Sequence, residues 1–135
     1  MELADTSAWG KASRPGMEWF VKAVEDGEIV VCDVVAMELL TAARDMRDFA
    51  ALEAALEACP WLRVEGADWD EARRIQGLLA EHGPLHHRAV KLPALLIAAV
   101  AIRYAMAIVH YDTDFDRIAT VTGQPVRWAA PRGSL

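Results

Sequence analysis

AIVHYDTDFDRIATVTG, residues 107–123, holds the fold in miniature. Ala107 to His110 is a short apolar run of the kind that forms a buried strand. Asp112, Asp114 and Asp116 come next, and the stretch from Phe115 to Val121 reads as a helix ended by Gly123 and Pro125. The segment is therefore a strand that passes, at its carboxyl end, through an acidic turn into a helix. Val126 to Trp128 then forms a last strand.

The same grammar extends upstream. Leu3 and Ala4 make a short first strand leading into Asp5, with Ser7 placed to cap the first helical region. Met17 to Asp26 is helical, carrying Trp19, Phe20 and Val24 near helical spacing, and Gly27 closes it. Glu28 to Cys32 is a buried strand, and Asp33 is a good N-cap for a helix running to Arg44. Asp45 opens another helix whose Phe49, Leu52 and Leu56 share a face, stopped before Pro60. Trp61 to Val64 is a short strand candidate. Asp68 with Glu71 reads as a capping box for a helix with Ala72, Ile75 and Leu79 inward and Gly83 past its end. Pro84 to Lys91 is loop, and Pro93 suits the first turn of the next helix. Strands separated by helices predict a parallel sheet with helices on both faces, and ligands in such sheets bind at the carboxyl ends of the strands. Asp5 and Asp112 each fall at such an end.

Bulk properties set the frame. The 135 residues fit a single domain spanning 1–135, with a hydrophobic content of 54% and a charged content of 25%. That balance is globular, not disordered. The apolar run from Leu92 to Ile102 is about half a bilayer span, so it reads as a buried helix, with no membrane association. No basic segment followed by an apolar stretch opens the sequence, so no secretory signal is expected and the location is cytoplasmic. Cys32 and Cys59 lack CxxC spacing and read as reduced thiols in or near the core. A net charge of −6 argues against a surface that attracts nucleic acid everywhere. It leaves open a nuclease whose carboxylates are neutralised by metal, or a protein with a basic partner.

Each acid has an ordinary reading as well as a chemical one. Asp5 could end a strand or cap a helix. Glu38 stands among Val34, Val35, Met37, Leu39 and Leu40, so its helix has little polar face there, although a snorkelling or partnered glutamate fits too. Asp112 could be an N-cap, with Asp114 and Asp116 favouring the positive end of the helix. If Asp5, Glu38, Asp112 and Asp114 converge, they form a set of hard oxygen ligands suited to Mg²⁺ or Mn²⁺. His86 and His87 are adjacent, point apart on regular structure and lack an acidic partner. Lys11, Arg14, Arg88 and Lys91 flank the region as solvated charges or as contacts to RNA phosphates. The tryptophans read as core.

ADTS near the start, VVAMELL with its central glutamate, LPALLIAAVA, and HYDTDFDRIA, in that order, resemble the PIN-domain ribonucleases, above all the VapC-type toxins of bacterial toxin–antitoxin pairs. The resemblance covers essentially the whole chain, including VTGQPVRW. It implies a three-layer α/β/α sandwich with a mainly parallel sheet, Mg²⁺ or Mn²⁺ on acidic side chains, and endonucleolytic cleavage of RNA by metal-activated water. It also implies a cognate antitoxin partner, a homodimer, and transfer or ribosomal RNA as substrate. The first acid falls on Asp5, the second on Glu38 and the last acidic group on Asp112 and Asp114, with Thr6 and Ser7 matching the small hydroxyl residues.

The third acid of the pattern, LPDLLIAA, falls on Ala94, whose methyl group binds no metal. The implied consequence is a nuclease silenced in this form. Loss of one acid with the others intact favours a single silencing change over general decay of the gene. The alternative is a naturally non-catalytic module that binds an antitoxin or RNA. A receiver domain needs an acidic pair after the first strand and a late lysine; a haloacid-dehalogenase-like phosphatase needs an acid two residues after Asp5. Neither pattern is present.

Overall fold

The computed structural model describes residues 1–135. Five strands, β1 (Glu2–Ala4), β2 (Ile29–Cys32), β3 (Trp61–Leu62), β4 (Ile108–His110) and β5 (Val126–Trp128), form one sheet in the order β3-β2-β1-β4-β5. Every pairing is parallel, as the alternation of strands and helices predicts. The connecting helices are α1 (Thr6–Trp9), α2 (Glu18–Glu25), α3 (Asp33–Leu40), α4 (Met46–Glu57), α5 (Gly66–His82), α6 (Leu92–Arg103) and α7 (Thr113–Thr122).

Period-two alternation divides the sheet between two cores. Leu3, Val30, Cys32 and Ile108 face the layer of α5, α6 and α7. On the other face, Ala4, Ile29 and Val109 meet Met17 and Phe20, and Val31 meets Leu56. Helix α6 is apolar on every side and correspondingly deep: Ala94 to Ala101 are all buried. The LLIAAVA stretch is thus the central helix of one layer, packed against α5 and α7.

The chain order makes β1 the switch point. β2 and β3 lie on one side of it, β4 and β5 on the other, so connections leave the β1–β4 junction in opposite directions. A crevice opens at such a junction, outside the carboxyl ends of the strands. Ala4 pairs with Val109, and the Asp5 amide donates to the Val109 carbonyl at 2.8 Å, so the two acid-bearing strand ends lie side by side.

Three helix boundaries differ from the sequence expectation. The capping box of α5 is Glu65 with Asp68, one turn before the expected Asp68–Glu71 pair. Glu65 is a weak N-cap type and Gly66 a poor helix former, so the sequence hides the first turn. Helix α3 is capped at Cys32, not Asp33, and ends at Leu40 rather than Arg44. Asp33 accepts instead from Trp61 Nε1 at 2.8 Å and the Val64 amide at 2.7 Å, tying α3 to β3. The cap of α1 is Asp5, with Ser7 as its donor. Trp69 is another exception, for it is exposed on α5 rather than in the core. Both cysteines are free, Cys32 buried and Cys59 half-buried.

Candidate metal centre

Asp5, Glu38 and Asp112 line one cleft of about 180 Å³ at the switch point, together with Thr6, Ser7 and Ala94. Each acid arrives for a local reason. Asp5 leaves β1 and caps α1, Asp112 leaves β4 and caps α7 by accepting from the Asp114 amide at 2.9 Å, and Glu38 reaches in from α3. The first turn of α6, which carries no acid, supplies Ala94. The N-terminal ends of α6 and α7 therefore meet at the cleft, where their exposed amides favour negative charge.

Thr6 and Ser7 act as positioning groups. The Thr6 hydroxyl donates to Glu38 Oε1 at 2.8 Å. The Ser7 amide donates to Asp5 Oδ2 at 2.9 Å, and the Ser7 hydroxyl donates to the same oxygen while accepting from the Tyr111 amide at 2.8 Å. One hydroxyl thus joins the acid after β1 to the chain leaving β4. Burial pushes the Asp5 carboxyl above its usual range. The Ser7 donors pull it down, and the nearby Glu38 and Asp112 push it up again. Three carboxylates facing a shared space are an arrangement that a cation relieves.

Asp114 lies behind the cleft wall. It is buried, with Oδ2 accepting from the Lys91 amide at 3.1 Å and Oδ1 from Arg117 at 3.2 Å. Its visible task is to clamp the chain entering α6 onto α7. Of the flanking cations, only Lys91 lines the cleft; Lys11, Arg14 and Arg88 do not. The Lys91 ammonium lies 3.2 Å from Asp112 Oδ2 and 3.7 Å from Asp114 Oδ2, and these carboxylates raise its pKa. His86 and His87 lie in a short 3₁₀ turn and do not line the cleft.

Sequence reading also missed His110. Fully buried, it accepts from the Asp112 amide through Nδ1 at 3.1 Å and so shapes the turn that presents Asp112. That bond assigns the proton to Nε2, and burial holds the ring below its usual pKa. The only sequence signal was a histidine two residues before an acid, at the end of an apolar strand.

Hard oxygen donors on three walls suit a divalent cation such as Mg²⁺ or Mn²⁺. The fourth wall is the Ala94 methyl. No three His, Cys, Asp or Glu side chains converge closely enough to hold an ion as they stand. Glu38 and Asp5 are turned to their hydroxyl partners and Asp112 to Lys91. Asp5, Glu38 and Asp112 are thus of the donor type a hard cation takes, and Ala94 beside them offers no donor.

Comparison with known proteins agrees with the fold. Residues 3–121 match the PIN domain family. Ribonuclease VapC18 of Mycobacterium tuberculosis is 39% identical over 97% of this chain and 96% of its own length, and Ribonuclease VapC51 of the same organism is 35% identical over 98% and 96%. Among solved structures, a toxin–antitoxin complex from Klebsiella pneumoniae superposes with a TM-score of 0.73 at 15% identity, over 96% of this chain and 98% of that one. DNA-bound VapBC from Salmonella typhimurium gives 0.72 at 17% identity, over 96% and 100%. These distant structures share the fold, and the sequence relatives share the chain almost end to end. The protein belongs to the PIN-domain family, and within it to the VapC type.

Proposed function

We propose that this chain is the toxin of a type II toxin–antitoxin pair, a Mg²⁺- or Mn²⁺-dependent RNA endonuclease, with activity largely lost through Ala94. The supporting observation is the convergence of Asp5, Glu38 and Asp112 on one cleft beside Ala94, at the switch point of the sheet. A divalent cation held there would supply Lewis-acid chemistry, activating a water and offsetting charge on the phosphate being cleaved. Asp5, Glu38 and Asp112 would hold it, and Asp114 fixes the segment that carries Lys91 and Ala94. Ser7 and Thr6 hold Asp5 and Glu38 at the edge of the cleft, from which the two carboxylates would turn toward an arriving cation. His110 keeps the Asp112 turn in place.

The named relatives and the solved toxin–antitoxin complexes support a cognate antitoxin as partner, and a homodimer is the working unit on this reading. Exposed Trp69 and Leu92, which line one apolar groove, are consistent with a covered face. No helix is long and apolar enough to cross a membrane. Transfer or ribosomal RNA is the substrate class that this reading favours.

Expression in a bacterial host tests the assignment. The present chain is expected to be tolerated, whereas Ala94→Asp at equal protein level should arrest growth, and co-expressed cognate antitoxin should restore it. Mapping new RNA 5′ ends in the arrested cells then names the substrate. Unimpaired growth with Ala94→Asp would favour a binding module without catalysis.

A further inference from the structure

We propose that Lys91 is a built-in occupant of the metal site: its ammonium holds the Asp112 carboxylate that a divalent cation needs, and so sets how readily the site loads. This rests on the metal-centre reading and adds to it a residue that controls loading.

Placement is the first argument. Lys91 lines the same cleft as Asp5, Glu38 and Asp112, and its Nζ lies 3.2 Å from Asp112 Oδ2. A cation bound to that oxygen would sit about 2.1 Å from it, so ammonium and metal cannot share the position without two like charges a few ångströms apart. The lysine must leave Asp112 Oδ2 for the metal to take that oxygen directly.

Its construction is the second argument. The Lys91 side chain is 71% exposed, and an ion pair that open to solvent adds little to stability. The structural task at this position belongs to the backbone, whose amide donates to Asp114 at 3.1 Å whatever the side chain. Arg117 reaches Asp114 from outside the cleft and leaves Asp112 to Lys91. Lys91 is the N-cap of α6, three residues before Ala94, so the tether returns the ammonium to the site whenever the metal departs. A long, exposed, flexible cation on a fixed stem is suited to exchange rather than to bracing.

Mn²⁺ binding, followed by the electron paramagnetic resonance of the free ion, tests this without any turnover. The proteins are the present chain, Lys91→Gln and Lys91→Arg, each also combined with Ala94→Asp, with circular dichroism and melting checked for all. Lys91→Gln is expected to tighten the Kd about three- to tenfold, while Lys91→Arg, which keeps the charge, leaves it near the starting value. Raising the salt should narrow the gap, because the Lys91 ammonium is open to solvent. If Ala94→Asp binds Mn²⁺ and Lys91→Gln leaves its affinity unchanged or weaker, the occupant role is overturned and the metal centre stands. If no folded variant binds Mn²⁺, the metal-centre reading fails and takes this proposal with it.

Discussion

Ala94→Asp is expected to raise Mg²⁺- or Mn²⁺-dependent cleavage of structured RNA on the order of 10²–10⁴-fold over the present chain. The range is that of single catalytic residues removed elsewhere, applied in reverse, and corresponds to about 3–5 kcal/mol of barrier. Position 94 lines the cleft with Asp5, Glu38 and Asp112 and is 6% exposed, so an aspartate there would add a fourth carboxylate to that cleft. Two opposing forces bear on the folded protein. Asp5 is already pushed toward the neutral form, in part by Glu38 and Asp112, so another acid adds repulsion. Position 94 is also the third residue of α6, where the helix N-terminus favours a negative charge and Lys91 stands nearby. The fold should therefore accept the substitution, and added Mg²⁺ should raise its melting temperature more than that of the present chain. Initial rates on a labelled RNA, with and without EDTA, read the main effect; equal rates for the two proteins would count heavily against the assignment.

Phe115→Ala is expected to have the largest effect on stability. The ring is fully buried, packs into the core under the sheet and lies with its centroid 5.3 Å from that of His110. Truncation loses the transfer free energy of the ring and leaves a cavity, together about 3–5 kcal/mol. A domain of this size has only about 5–15 kcal/mol of net stability, so the variant should melt on the order of 10–20 °C lower. Phe115→Leu, which fills most of the space, should lose far less. Urea denaturation with an unchanged m-value is the check. A Phe115→Ala loss below about 1 kcal/mol would mean that the first turn of α7 is not anchored by the core as described. Because Phe115 follows Asp114 directly, the anchor that stabilises the fold also fixes the acidic turn.

The strand–helix alternation was legible because apolar runs such as Ile29–Cys32 and Ile108–His110 are short, β-branched and bounded by turns or acids. The parallel sheet followed, and with it the positions of Asp5 and Asp112 at strand ends. Helix starts were less legible where tertiary contacts overrode local preference. Asp33 looks like a cap but is drawn to Trp61 and Val64, and Asp68 looks like a cap but serves as the third residue of its helix. Within the candidate site, the residue types were readable and their division of labour was not. Nothing in HYDTDFDRIA separates Asp112, which faces the cleft, from Asp114, which is turned inward to the Lys91 amide and Arg117. Lys91 looked like one of several flanking charges. Only the packing of α6 against α7 shows it reaching Asp112, since the contact spans 21 residues of sequence.

On the proposed reading, the cleft between β1 and β4 is a divalent-cation site short of one carboxylate. Crystals of Ala94→Asp grown with Mn²⁺, measured for anomalous scattering, test it most directly. The expected result is a peak within bonding distance of Asp5 and the introduced carboxylate, with Glu38 or Asp112 completing the shell directly or through water. An ordered cleft with no peak at saturating Mn²⁺, or a peak bound only elsewhere on the protein, would contradict the claim.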